Sequence, residues 1–213
     1  MANSKKMIIF DWNGTLIDDV WLNLNAINSV LEKRKMKPAT VEYYRENFCF
    51  PVSTFYKELG LDVKNEWDDI AKEFGESYLA SIDKVKLFPD VIPTLEKLAE
   101  AGIEAGIFSA MEHELLNKHV EALRISKYFR FIEGIENRYA EGKSHLCKKI
   151  LEKSGHSEKE LLFVGDTCHD YETAKTIGCD IALVSRGHNT EEILKNTGAP
   201  VFRSLADLVK RVI

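Results

Sequence analysis

Cysteines are few in this chain, and their positions exclude two kinds of structure. The four cysteines among 213 residues are scattered, and no two form a C-x-x-C pair: Cys49, Cys147, Cys168 and Cys179. This pattern lacks the spacing of a zinc site and argues against a disulfide framework in a chain of this length. We therefore interpret the cysteines as reduced thiols.

An excess of positive charge and long apolar runs are also missing. Acidic residues outnumber basic ones by 34 to 29, which gives a formal net charge of -5 and argues against nucleic acid as a partner, since that requires concentrated positive charge. No apolar stretch approaches the roughly 20 residues of a membrane span, and the apolar run at 7–10 is too short for a signal peptide. We predict a cytoplasmic globular protein without a membrane partner. The sequence carries no pattern that assigns an oligomeric state.

The chain divides into two kinds of pattern. Residues 19–86 show helical periodicity, as in Trp21, Leu24, Ile27, Val30 and Leu31, which predicts a small all-helical cap domain. Residues 1–18 and 87–213 instead place short apolar strands in alternation with helices. This order predicts an α/β core domain with a Rossmann-like parallel sheet and helices on both faces. The cap is then an insert after the first strand.

Polar residues follow three of the predicted strands. Asp11 follows the strand at 7–10, Ser109 the strand at 103–108, and Asp166 the strand at 161–164. Because parallel sheets bind ligands at the carboxyl ends of their strands, we expect these residues to share a site.

Asp11 opens the segment Asp-Trp-Asn-Gly-Thr-Leu at 11–16. A carboxylate held between a buried strand and a glycine turn suits a phosphoryl acceptor, because phosphoryl transfer depends mainly on positioning and charge stabilisation. The alternative is a loop aspartate that accepts hydrogen bonds from the backbone.

Ser109 and Lys143 are weaker candidates. The Ser109 hydroxyl could donate to a phosphate oxygen, but Glu112 three residues later also predicts a capping box at the start of a helix. Lys143, at the predicted start of a helix over 143–153, could balance the charge of a phosphate and of Asp11. Its alternative is a solvated surface lysine.

The segment 165–170 carries two acids, Asp166 and Asp170, directly after a buried strand. Carboxylates at this distance suit a hard cation with oxygen ligands, and Mg²⁺ takes only one or two of them, which fits a site shared with Asp11. The alternative is acidic capping of a helix N-terminus.

Together and in this order, these motifs resemble the haloacid dehalogenase (HAD) superfamily, and within it the group of phosphoglycolate phosphatase and β-phosphoglucomutase with a helical cap. The resemblance spans Asp11 to Asp170, and residues 48–60 look like that group's cap. It implies that Asp11 attacks phosphorus and forms an aspartyl-phosphate. It also implies that Asp11, Asp166 and the main-chain carbonyl of Asn13 bind Mg²⁺, with Asp170 supporting the metal directly or through water.

The same resemblance implies the substrate contacts of a hydrolase acting on a small phosphorylated metabolite. Ser109 and Lys143 would hold the phosphate oxygens, and the cap would close over the site and select the substrate. Further contacts are expected from the turn after Asp11 and from beside Ser109: Trp12, Gly14, Thr15 and Ala110. In the cap, Arg45 and Lys57 could bind a carboxylate or second phosphate, or be solvated helix faces.

The chain departs from the family at Asn13, where most family phosphatases have a second aspartate that serves as general acid and base. An amide can do neither, and such catalysis is typically worth about 100- to 10,000-fold. His169 and Asp18 are the nearest candidates in the sequence to replace it. We favour a phosphatase that is slow or suited to leaving groups that need no proton.

Two alternatives stay open. One is a catalytically weakened module that binds phosphate or a partner. The other is a carbon–phosphorus hydrolase, since family phosphonatases show Asp-Trp-Ala-Gly-Thr at the nucleophile and use a cap lysine, here Lys57, as a Schiff base.

Overall fold

The computed structural model describes residues 5–136 and 146–212. In chain order its strands are β1 Met7–Phe10, β2 Ile17–Asp18, β3 Lys86–Leu87, β4 Glu104–Glu112, β5 Phe129–Ile135, β6 Leu161–Gly165, β7 Asp180–Val184 and β8 Val201–Phe202. The helices are α1 Val20–Lys33, α2 Val41–Asn47, α3 Val52–Glu58, α4 Trp67–Leu79, α5 Val91–Glu100, α6 His113–Ala122, α7 Cys147–Ser154, α8 Cys168–Ile177, α9 Glu191–Asn196 and α10 Leu205–Val212.

Six strands form one parallel sheet in the order β5-β4-β1-β6-β7-β8. The central strands β1 and β6 are buried along their whole length, as expected where helices cover both faces of a parallel sheet. Successive side chains of β1 enter different clusters: Ile8 and Phe10 pack in one, and Met7 and Ile9 in the other. The predicted α/β fold with a parallel sheet is confirmed.

Helices α1 to α4, which we call the cap helices, lie between β2 and β3 in the chain. They have an apolar cluster of their own, built around Ile27, Val30, Leu31, Phe55 and Ile70. The chain leaves and re-enters the core through β2 and β3, which pair antiparallel with Ile17 opposite Leu87. This short pair was not predicted, because two-residue strands carry no recognisable periodicity. No helix in the described part of the chain is long and apolar enough to cross a membrane.

Strand β4 is longer than predicted, and this corrects the expectation for Ser109. The pairing of β4 with β5 continues, with an irregularity, to Glu112 opposite Ile135, so Ser109 lies inside the strand and Glu112 is the N-cap of α6. The Ser109 hydroxyl accepts from the backbone N–H of Met111 at 3.1 Å. The predicted capping box between Ser109 and Glu112 is therefore wrong.

Candidate active site

Three aspartates converge at the carboxyl ends of the central strands. Asp11, Asp166 and Asp170 are buried, and each offers a carboxylate oxygen within 4.8 Å of the others. Asp11 is held by the sheet itself, because its N–H donates to the carbonyl of Val164 at 2.8 Å. Asp166 follows β6, and Asp170 lies in the first turn of α8. The convergence that the sequence predicted is confirmed.

Asp166 is held at both carboxylate oxygens. The Thr15 hydroxyl donates to Oδ1 at 2.7 Å, and the backbone N–H of His188 donates to Oδ2 at 2.6 Å. Burial and the neighbouring charge of Asp170 raise the pKa of Asp166 to about 6. A side chain at Gly14, whose φ is +71°, would collide with Asp166. The glycine therefore allows the nucleophile loop to pass close to this acid.

Asp170 serves the helix as well as the site. Its Oδ2 accepts from the N–H groups of Asp166 at 3.1 Å and Thr167 at 3.0 Å, and from the Thr167 hydroxyl at 2.7 Å. These contacts form a capping box at the start of α8. The capping alternative considered for this segment is thus observed, and it fixes the carboxylate of Asp170 beside Asp166.

The donor set fits a magnesium ion. Three buried carboxylates this close together repel one another. The pKa of Asp166 is raised first by burial and then by the charge of Asp170. Hard divalent cations prefer oxygen ligands of this kind, and a bound cation would offset the repulsion. Asp11, Asp166 and Asp170 are the residues that would hold it.

Asn13 is engaged in a network that the sequence did not reveal. Its side-chain amide donates to Oδ2 of Asp19 at 2.6 Å and to the hydroxyl of Tyr78 at 3.1 Å. Asp19 is fully buried and also accepts from the N–H of Gly14 at 2.8 Å and the amide of Asn23 at 2.7 Å. Burial alone would raise the pKa of Asp19, but the charge of His188 and these hydrogen bonds lower it overall.

His188 is a second residue that the sequence reading missed. Its Nδ1 lies 2.9 Å from the hydroxyl of Tyr44 in α2, and its Nε2 lies 3.4 Å from Oδ1 of Asp19, an ion-pair distance. Burial lowers the pKa of His188, yet the carboxylates of Asp19, Asp166 and Asp11 raise it to about 9. The signal was available, because residues 185–189 are polar and directly follow β7, as Asp11 follows β1.

Three of the predicted substrate contacts, Trp12, Gly14 and Thr15, lie off the cavity. The Trp12 side chain is fully buried in the core and packs edge-on against His119. The Gly14 N–H is bonded to Asp19, and the Thr15 hydroxyl to Asp166. None of these three residues lines the cavity described below. Their side chains and bonded groups build the loop and orient the acids.

The two predicted cap contacts, Arg45 and Lys57, also lie off the cavity. Arg45 donates from Nη2 to the carbonyls of Ser185 at 2.9 Å and Asn189 at 3.2 Å, so it joins the cap helices to the loop after β7. Lys57 is exposed, and neither residue lines the cavity. Lys143, predicted to hold a phosphate oxygen, lies outside the described residues, as does the predicted start of its helix.

A cavity of about 950 Å³ lies between the cap helices and the strand ends. Asp11, Asn13, Ser109, Ala110 and Asp170 line its inner end. His169, one candidate for the missing acid, also lines it and packs on Phe50 with ring centroids 4.5 Å apart. Asp18, the other candidate, is exposed and off the cavity.

A parallel α/β core with a carboxylate cluster at its strand ends, facing a cavity under inserted helices, defines a hydrolase-type enzyme. The model of the haloacid dehalogenase-like hydrolase family matches residues 8–184, and the chain belongs to this family. A phosphoglycolate phosphatase from Aquifex aeolicus is 30% identical over 96% of this chain and 95% of its own length.

Other relatives agree with this assignment. Phosphoglycolate phosphatase 1 from Pseudomonas aeruginosa is 25% identical over 96% of this chain and 78% of its own length. A haloacid dehalogenase-like hydrolase from Streptococcus pneumoniae has the same fold, with a TM-score of 0.84 at 20% identity, and covers 97% of this chain and 98% of its own. The chain is a hydrolase of the phosphatase type.

Proposed function

We propose that this protein is a magnesium-dependent phosphatase that cleaves a phosphorylated metabolite through an aspartyl-phosphate on Asp11. The observation that carries the proposal is the cluster of Asp11, Asp166 and Asp170, whose carboxylate oxygens lie within 4.8 Å of one another. A cavity next to this cluster reaches Asp11 and is large enough for a substrate. The similarity to phosphoglycolate phosphatases supports this reading.

In this proposal the groups at and beside the inner end of the cavity share the catalytic work. Asp11 attacks phosphorus, and the leaving alcohol departs from the opposite side. Ser109 and the main chain at Ala110 hold phosphate oxygens, together with Lys143. Asp11, Asp166, Asp170 and the carbonyl of Asn13 would hold Mg²⁺, which when bound would neutralise charge on the phosphoryl group.

The amide at position 13 sets the expected substrate preference. Asn13 carries no proton that it can transfer at neutral pH, and its amide is bonded to Asp19 and Tyr78. A leaving group that departs as a stable anion needs no acid, whereas an alkoxide does. We therefore expect acyl and aryl phosphates to react faster than alkyl phosphates.

The cap helices, within residues 19–86, select the substrate in this proposal, while residues 1–18 and 87–213 supply the chemistry. The pairs Asn13–Tyr78 and Tyr44–His188 link the two parts, and all four residues line the cavity that reaches Asp11. The carbon–phosphorus hydrolase alternative loses its proposed lysine, because Lys57 is exposed and off the cavity.

The test is release of phosphate from acetyl phosphate, 4-nitrophenyl phosphate and phosphoglycolate, with Mg²⁺ and with a chelator. Wild type is compared with Asp11→Asn and with Asp18→Asn, an exposed aspartate that serves as the matched control. We expect Mg²⁺-dependent release that Asp11→Asn abolishes and Asp18→Asn leaves unchanged. Release that persists in Asp11→Asn would reject Asp11 as nucleophile. No release and no phosphoenzyme from any donor would favour the phosphate-binding module.

A further inference from the structure

A continuous series of aromatic rings runs along one side of the cavity. It begins at Tyr78, whose hydroxyl accepts from Asn13 beside the nucleophile. Phe74 stacks on Tyr78 at 5.8 Å, Tyr56 lies 6.2 Å from Phe74, and Trp67 lies 6.0 Å from Tyr56. We call these four residues the aromatic wall. All of them line the cavity, and Phe74 and Trp67 keep part of their surface exposed.

A second aromatic group lines the same cavity. Phe48 and Phe50 pack with centroids 5.5 Å apart, and Phe50 continues onto the His169 ring at 4.5 Å. Both phenylalanines are only partly buried. Partly exposed rings in a cavity offer their faces to a ligand, because aromatic pairs gain attraction beyond the burial of area.

The charges at the mouth of the cavity do not suit a second anionic group. Besides Asp11, Asp170 and the buried His188, four acids line the cavity against two lysines, Lys72 and Lys118, and most of these six residues are exposed. The acids are Asp68, Glu76, Glu112 and Glu114. No arginine within residues 5–136 and 146–212 lines the cavity, so the described lining lacks the side chain that best pairs with a carboxylate.

The size of the cavity points the same way. Its volume of about 950 Å³ is at the upper end of the range for sites that enclose drug-sized ligands. The two-carbon acid of phosphoglycolate would fill only the inner end near Asp11 and would leave the exposed parts of Phe74 and Trp67 uncovered.

We propose that the substrate is a phosphate monoester whose alcohol carries a planar aromatic group, neutral or cationic, which lies against the aromatic wall while the phosphate reaches Asp11. This inference rests on the proposed phosphatase function and names its substrate class. The bond that breaks is the ester P–O bond, with the phosphoryl group passing to Asp11 and then to water.

The test must separate aromatic recognition from leaving-group acidity. Benzyl phosphate and ethyl phosphate are both alkyl esters and differ in the ring, and 1-naphthyl and phenyl phosphate are both aryl esters and differ in ring area. Acetyl phosphate reports phosphatase activity without an aromatic group. We expect kcat/KM for benzyl phosphate to exceed that for ethyl phosphate and phosphoglycolate by at least about tenfold, with 1-naphthyl phosphate preferred over phenyl phosphate.

Variants of the aromatic wall give a second test of aromatic recognition. Trp67→Ala should raise KM for benzyl phosphate by about 2- to 10-fold and leave acetyl phosphate unchanged. Trp21→Ala is the matched control, because Trp21 is an exposed cap tryptophan outside the cavity. Phe50→Leu tests the second aromatic group should Trp67→Ala fail to fold. Calorimetric titration of Asp11→Asn with the same esters and Mg²⁺ measures binding without turnover.

Each outcome decides one question. Equal or better turnover of ethyl phosphate or phosphoglycolate would overturn the substrate class, while Asp11-dependent hydrolysis of acetyl phosphate would keep the phosphatase. Loss of all hydrolysis would reject the proposed function. In that case the titration decides, and benzyl phosphate binding no tighter than ethyl phosphate would also reject aromatic recognition.

Discussion

The side-chain amide of Asn13 donates a 2.6 Å hydrogen bond to Oδ2 of Asp19, a carboxylate with no exposed surface. An amide and a carboxylate are complementary here, because the amide supplies a donor where two carboxylates would repel. The nucleophile loop thus has a second acid close to position 13, but it comes from Asp19 and is occupied by hydrogen bonds. This pairing explains how the fold accommodates an amide at position 13.

Replacing Asn13 by aspartate should create an acid that stays protonated at neutral pH. The new carboxyl would face Asp19 at hydrogen-bond distance, and two such groups cannot both ionise, so one pKa rises strongly. We expect turnover of an alkyl phosphate to increase by at least about tenfold, since general acid catalysis is worth about 100-fold or more when well placed. Steady-state kinetics with benzyl or ethyl phosphate measures the effect.

The companion substitution is Asp19→Asn, alone and combined with Asn13→Asp. Asn13→Asp alone should lower the free energy of unfolding by about 1 to 3 kcal/mol, because a protonated carboxyl donates one hydrogen bond where the Asn13 amide donates two, to Asp19 and Tyr78. The double variant restores one amide and one carboxyl and should recover most of that loss. Equal stability of Asn13→Asp and wild type would show that the 13–19 contact contributes little.

The strand-end rule accounts for what could be predicted from sequence. Asp11 and Asp166 follow short apolar runs that are typical of buried strands, and parallel strands bring their carboxyl ends to one edge. Their convergence with Asp170 required no knowledge of loops. The length of β4 could not be read in the same way, because Ser109 to Glu112 contain no apolar run and are held in the strand by pairing with β5.

Asp19 and His188 were missed because their roles depend on contacts between segments that are distant in the chain. Asp19 stands beside exposed Asp18 in the sequence, and only the packing of α2 and the loop after β7 distinguishes the buried acid from its neighbour. The link from Arg45 to the loop after β7 was missed for the same reason, since the sequence predicted either a substrate contact or a solvated helix face for Arg45. Composition and spacing do not encode which partner a long side chain reaches.

Gly14→Ala should disturb Asp166 as well as the backbone. A side chain at Gly14 would collide with the carboxylate of Asp166, and an alanine at positive φ costs roughly 1 to 2 kcal/mol. We expect phosphatase activity to fall by more than about 100-fold, because this acid must be placed accurately. Phosphate release from acetyl phosphate and urea unfolding give the two readouts.

Gly102→Ala is the matched control for that substitution. Gly102 has a φ of +69°, close to the +71° of Gly14, but nothing lies within 4 Å of its added side chain. This variant should carry the same backbone strain as Gly14→Ala and keep full phosphatase activity. If both variants lost activity equally, backbone strain alone would explain the effect and contact with Asp166 would not.

His188 should make the stability of the metal-free protein depend on pH. Its pKa is about 9 in the folded state against an ordinary value of 6.5. A raised pKa means that the stabilisation is fully present below pH 6.5 and is lost as the pH rises through about 9. In a chelator, wild type should lose about 2 to 3 kcal/mol more than His188→Gln between pH 6 and 9.5.

Urea unfolding of wild type and His188→Gln at each pH measures that difference. Subtracting the pH profile of the variant from that of wild type removes the contribution of other titrating groups. Asp19→Asn provides a second check, because removal of its charge should lower the pKa of His188 and narrow the pH window. Parallel pH profiles for wild type and His188→Gln would refute the buried ion pair between His188 and Asp19.

Arg45→Ala should weaken substrate binding through the cap and not through a lost substrate contact. Arg45 donates to the carbonyls of Ser185 and Asn189, and hydrogen bonds from a charged group are worth about 1.5 to 3 kcal/mol. Loosening this link should raise KM by about 3- to 10-fold, to the same extent for acetyl, benzyl and ethyl phosphate.

Lys57→Ala is the control, because Lys57 is exposed and off the cavity, and it should leave every KM unchanged. A rise confined to a carboxylate-bearing ester such as phosphoglycolate would instead show that Arg45 contacts substrate, because only a direct partner distinguishes esters by the charge they carry.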